Sequence, residues 1–139
     1  MTCTFFGHKD TPAFVKDKLR EVIINQIEIC GVDMFYVGNH GNFDRMVFEI
    51  LKEMKEIYPN IDYRIVLAYL PKNENNLKNT EFPEGIETVP KRFAIDFRNR
   101  WMINHADSVI AYISHDWGSA AKFVKLAEHK KLCVINLFK

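Results

Sequence analysis

Three short stretches of this 139-residue chain combine glycine with ionisable or aromatic side chains. They are Gly7-His8-Lys9, the turn Gly38-Asn39-His40-Gly41 with Asp44 shortly after it, and Ser114-His115-Asp116-Trp117-Gly118-Ser119. A fourth stretch, with helical patterning, carries Arg98, Asn99 and Arg100. Glycine lets backbone approach a ligand closely. Histidine, lysine and arginine can meet phosphate oxygens, and a tryptophan can stack on a base. The turn at Gly118-Ser119 opens a helix whose unpaired N–H groups and dipole favour negative charge. These residue types point to a ligand that bears phosphate and leave open whether it is cleaved.

Each of these residues also has a plainer reading. Gly7 and Gly38 fit residues that end strands, and His8 and His40 fit surface histidines. Asp44 fits either a cap on the second helix or a ligand contact. Arg98 and Arg100 lie two apart on a helix and point in different directions. The expectation is that one faces the ligand while the other pairs with a carboxylate such as Asp96 or Asp107. Trp101 and Met102 read as core. G-N-H-G is not G-x-G-x-x-G, and no acidic residue marks the end of the second strand, which argues against a standard NAD dehydrogenase. No cofactor is expected. The histidines lack tight ligand spacing, so no metal site is expected. Cys3, Cys30 and Cys133 form no C-x-x-C pair; Cys3 and Cys133 sit in apolar contexts that read as buried thiols.

The elements that must position these residues alternate along the chain. Apolar runs at Thr2–Phe6, Met34–Val37, Tyr63–Leu70, Ser108–Ile113 and Leu132–Leu137 read as five strands. Between them lie helical patterns. The first opens at Thr11-Pro12, an N-cap and N1 proline, and runs to Cys30, with Gly31 closing it. The second follows Gly41 and buries Phe43, Met46, Val47, Ile50, Leu51, Met54 and Ile57. The third runs from Lys91 or Arg92 to about His105, and the fourth from Ser119 to His129. The proline- and asparagine-rich segment 71–90 reads as a long loop, a candidate lid over the site. The pattern predicts one α/β domain over residues 1–139. Its architecture is a Rossmann-like, doubly wound, mainly parallel five-stranded sheet with helices on both faces. Such folds bind ligands beyond the carboxyl ends of their strands, where the glycine-bearing turns fall.

Composition narrows the partners. The net charge is +1 and no basic stripe stands out, which argues against nucleic acid. No apolar run approaches a membrane span, and the N-terminus lacks a signal-peptide pattern, so a cytoplasmic location is the expectation and no membrane partner is foreseen.

Taken in order, the motifs resemble the SLOG superfamily of Rossmann-like nucleotide-binding proteins. That group includes the cytokinin-activating LOG phosphoribohydrolases and the DprA proteins, and the pattern here is most similar to its YpsA-like branch. The resemblance rests on Gly7-His8-Lys9, on Gly38-x-x-Gly41-x-x-Asp44, and on Arg98-Asn99-Arg100-Trp101-Met102 followed by Asp107, a strand and Gly118-Ser119-Ala120. It covers nearly the whole chain. It implies a small-molecule nucleotide or nucleotide-sugar as ligand, with an NAD- or ADP-ribose-related signal among the candidates. It also implies a sensor or binder role of bacterial or phage origin, and self-association as a homo-oligomer, commonly a dimer. Under it Gly7, Gly38, Gly41, Gly118 and Ser119 donate to phosphate, Lys9 or Arg98 supplies charge, and Asp44 anchors its turn or binds a ribose hydroxyl. His8, Asn39, His40, Asn99, Ser114 and Trp117 complete the ligand-binding set. The alternative it implies is a nucleoside 5′-monophosphate phosphoribohydrolase or other N-glycosidase. There an arginine on the third helix, here Arg98, works with a glutamate, but Ala121 stands at the glutamate position. Asp44, His115, Asp116 or Glu128 would then have to serve as acid or base.

Overall fold

The computed structural model describes residues 1–69 and 79–138. Its strands are β1 (Thr2–Gly7), β2 (Met34–Val37), β3 (Asp62–Val66), β4 (Thr80–Glu81), β5 (Ser108–Tyr112) and β6 (Cys133–Asn136). All pair in parallel in one sheet of order β4-β3-β2-β1-β5-β6. The helices are α1 (Val15–Glu28), α2 (Gly41–Ile57), α3 (Ala94–Asn104) and α4 (Ser119–His129). From β1 the strand order runs outward in both directions, so the crevice beyond the ends of β1 and β5 is the switch point.

Side chains alternate across the strands and so feed two cores. Cys3 and Phe5 of β1 and Ile110 of β5 pack with Leu19 and Ile23 of α1 and Ile50 and Leu51 of α2. Phe6, Val109 and Ala111 point the other way, onto Met102 and Ile103 of α3 and Phe123 of α4. Both faces are thereby covered, which is why β5 is buried along its full length. The stripe on α2 is the one its spacing predicts, except that Ile57 is exposed. Met102 is buried as expected, whereas Trp101 is half-buried between Tyr36 and His105.

Several boundaries differ from the expectation, each for a local reason. The sheet has six strands rather than five. The added β4 pairs Thr80 with Ile65 and Glu81 with Val66, and two residues beside a proline-rich stretch carry no periodic signal. The expected loop at 71–90 therefore holds β4, and it also holds a 3-10 turn at Ile86–Thr88. Residues 71–78 of it, and Leu70 at the expected end of β3, lie outside the described residues. A second 3-10 turn, Lys91–Phe93, precedes α3. Thr11 does not cap α1. Its hydroxyl and its N–H both donate to the His8 carbonyl, at 2.5 and 3.1 Å, closing the turn after β1. Cys133 is exposed, because β6 is an edge strand, while Cys3 is buried and its thiol is pushed up to about 12 by desolvation. Asp107 accepts the Thr2 N–H at 2.9 Å and so ties β1 to the turn before β5. Among the described residues no helix is long and apolar enough to cross a membrane.

β1 ends against α2 at Gly7, where any Cβ would fall inside the Phe43 ring. Overpacking of this kind costs about 1–3 kcal/mol. Gly7→Ala is expected to lower the urea-unfolding free energy by that amount, and adding Phe43→Leu should restore part of it. An unchanged stability in Gly7→Ala would show that the contact yields freely.

Candidate functional site

At the switch point lies a cleft of about 610 Å³. Its floor is formed by the end of β1 and by Ile95, Arg98, Asn99 and Met102 of α3. Its sides come from the loop after β1, from His40 and Asp44 at the start of α2, and from the turn entering α4. The topology explains the gathering: in a parallel sheet every strand delivers its following loop to the same edge.

Arg98 is the organising side chain. It is 3% exposed. Its Nε donates to Asn99 Oδ1 at 2.8 Å, and its Nη1 donates to the Val66 carbonyl at 3.1 Å and to Asn39 Oδ1 at 3.3 Å. Nη2 makes no hydrogen bond among the described residues, and Arg98 lines the cleft. Burial lowers its pKa, opposed by Asp44 and Tyr69, yet a guanidinium remains a cation at neutral pH. Arg100 turns away and pairs with Asp96 at 2.7 Å, and Asp96 also binds Lys122 at 2.8 Å. The two arginines thus divide as their spacing predicts.

Gly38 makes room for this arrangement. A Cβ there would stand 2.8 Å from Asp44 Oδ2 and 3.0 Å from Arg98 Nη1. The turn continues into α2 through Gly41, whose φ of +91° suits glycine, and the Asn42 N–H is held by the Lys9 carbonyl at 2.8 Å. Asp44 Oδ2 accepts the His40 N–H at 3.0 Å, satisfying one free donor at the helix entrance. The cap and the cleft thus share one carboxylate.

On the opposite wall α4 starts at Ser119 after Gly118, with no side-chain cap. Its first helical hydrogen bond runs from Lys122 N–H to the Gly118 carbonyl, and Ser119 and Ala120 line the cleft. Beside it three rings form a ladder. His8 stacks on His115 at 3.6 Å, and His115 stacks on Trp117 at 3.6 Å. His8 Nε2 accepts the Ser114 N–H at 3.1 Å, which assigns its proton to Nδ1 and keeps the ring neutral. Burial, and secondarily His115, lower its pKa, against an opposing pull from Asp10. His40 is also lowered, by burial and then by Arg98.

The structure brings Gly7, His8, Lys9, His40, Asp44, Arg98, Asn99, His115, Trp117, Gly118 and Ser119 to this cleft. Gly38, Asn39 and Gly41 stand behind its wall and shape it. Ser114 and Asp116 open instead onto a second cleft of about 360 Å³, lined also by Ala121, Lys125 and Glu128. His115 borders both. The sequence reading gave no site role to Asp10, Ile95 or Ala120, although all three line the cleft. Ile95 lies one helical turn before Arg98 and could have been found from that spacing. Among the described residues no group of three or more metal-ligating side chains gathers.

No protein-family model matches the chain, and a comparison with curated proteins gives no match.

The shared carboxylate gives the site a measurable signature. Burial pushes Asp44 from 3.8 up to about 6, with the His40 N–H and Arg98 pulling the other way. Folded Asp44 therefore holds its proton more tightly than the unfolded chain does. The stability this provides is complete below pH 3.8 and is lost as pH rises through about 6. Asparagine accepts the same bond without a charge. Asp44→Asn is expected to be more stable than wild type by about 1–3 kcal/mol near pH 8, with the gap closing towards pH 4. Urea unfolding across that range checks it, and a gap independent of pH would assign the effect to something other than the carboxylate.

Proposed function

We propose that this chain is a SLOG-like nucleotide-binding module that holds a phosphorylated nucleotide or nucleotide-sugar, acting as a sensor or binder. The observation that carries this reading is the Arg98 guanidinium, 3% exposed, bordering the switch-point cleft with Nη2 uncommitted among the described residues. A largely buried cation with a donor turned to an open cleft favours an anion that meets it there. The uncapped N-terminus of α4 across the cleft adds backbone donors and a favourable dipole. Trp117, 67% exposed at the rim, offers a surface for a base. The volume of about 610 Å³ is in the range of small-molecule sites.

Binding without cleavage is favoured by Ala121. The position that carries a glutamate in the phosphoribohydrolases is here a methyl group, 2% exposed, lining the second cleft. It neither donates nor accepts a proton.

Mass spectrometry of small molecules released by heat from the natively purified protein tests the reading, followed by titration with nucleoside monophosphates, ADP-ribose and NAD. Wild type is expected to retain or bind at least one nucleotide. Arg98→Lys keeps the charge but loses the fork, and is expected to weaken binding by about 10-fold or more. Trp117→Ala changes an exposed side chain and is expected to weaken it by about 3- to 10-fold with an unchanged melting temperature. A wild-type protein that retains no nucleotide and binds none of these ligands would overturn the proposal.

A further inference from the structure

We propose that nucleotide binding in this cleft is coupled to proton uptake at His115, which meets the ligand's phosphate as an imidazolium. The inference rests on the nucleotide-binding reading above and adds a pH dependence to it.

Hydrogen bonds divide the two stacked histidines into one that is fixed neutral and one that is free to charge. His8 Nε2 accepts the Ser114 N–H at 3.1 Å. A proton there would set N–H against N–H, so this ring is held neutral. His115 is bonded the other way round. Its Nδ1 lies 3.0 Å from the Trp117 carbonyl. A carbonyl only accepts, so Nδ1 carries the proton and Nε2 keeps its lone pair. Nε2 makes no hydrogen bond among the described residues. A second proton on His115 therefore breaks no bond, and the bond from Nδ1 becomes charge-assisted. Histidine is the side chain whose ordinary titration falls between pH 5 and 8.

The ring is also placed for an anion. His115 Cε1 lies 4.0 Å from where a Gly118 Cβ would stand. Nε2 is bonded to Cε1, so it is held beside the residue from which α4 starts. A phosphate there receives the free N–H groups of the helix and an N–H from Nε2 together. The same cleft is lined by Arg98, which is buried and has Nη2 uncommitted among the described residues. Stacking sets the ring in advance, with His8 on one face and Trp117 on the other, each at 3.6 Å. The indole face also favours the charged form of the imidazole against it.

The fixed charges around His115 offset one another. On the side of the larger cleft the loop after β1 brings Lys9 and Asp10, and α3 brings Arg98. The start of α2 brings His40 and Asp44 to the same cleft. On the other side of the ring Asp116 and Glu128 accompany Lys125. A ligand phosphate adds negative charge to this balance and tips His115 to its charged form. Proton and ligand then strengthen each other's binding by the same factor, so affinity falls as pH rises.

Calorimetric titration with the nucleoside monophosphates, ADP-ribose and NAD, in two buffers of different ionisation enthalpy, counts the protons taken up per ligand bound. For each ligand that binds, wild type at pH 7 is expected to take up about half a proton more than His115→Gln. Glutamine keeps a polar side chain that cannot charge, and the subtraction removes the titration of the phosphate itself. Between pH 6 and 8 the affinity of wild type is expected to fall about 10-fold relative to that of the variant. The difference is expected to persist when both are measured in an Asp44→Asn background, which removes a carboxyl that is pushed up to about 6. In wild type, NMR of the His115 ring is expected to show the imidazolium on saturation with ligand, a readout that needs no variant. Identical proton counts and pH profiles in wild type and His115→Gln, a difference lost with Asp44, or a ring that stays neutral on saturation would each overturn the inference and leave nucleotide binding standing. A wild-type protein that binds none of these ligands would overturn both.

Discussion

A guanidinium taken out of water has to be solvated by the protein, and much of this structure is arranged around meeting that demand for Arg98. The Val66 carbonyl at the end of β3 and the Asn39 side chain beyond β2 both accept from Nη1, and Asn99 on α3 accepts from Nε. Three separate elements are therefore held to one side chain. Gly38 has to lack a side chain because the guanidinium lies over it, and Asp44 supplies a compensating charge without contact. The fold brings these groups together through the parallel sheet, and the cation then holds the loops in register at the edge where the helices begin.

The architecture was legible because its signals are periodic. Alternation of apolar runs and helical stripes predicted the four helices and the long strands, with α4 and β2 matched to the residue. Misses fell where a local hydrogen bond or an edge decides the outcome. Thr11 reads as a helix cap, but its hydroxyl finds the His8 carbonyl instead. β4 is too short to show a period, and Cys133 looks like core until its strand proves to be the last in the sheet.

The candidate cleft was legible in outline, since the residues just past β1, β2 and β5 had to share an edge. The division between Arg98 and Arg100 followed from helical spacing. What the sequence could not supply was contact between its two ends. His8 and His115 stack although one follows β1 and the other β5, and no local pattern encodes that pairing. Nor could it separate Ser114 and Asp116 from their neighbours, because a single ring, His115, divides the two clefts. Asp44 illustrates the opposite case. Two uses were compatible with its position, and the geometry shows one of them, the cap, while leaving its second oxygen unbonded among the described residues.

The ring ladder has a consequence for discrimination among ligands. Trp117 is largely exposed, but one face of its indole is already covered by His115. A planar group arriving at the rim meets a single aromatic surface rather than a slot between two. One-sided stacking is tolerant of ring identity, because every base has a π-face and no opposing wall measures its thickness or outline. A planar group stacked at this rim is held from one side only, and the fold concentrates its fixed, directional groups deeper in the cleft.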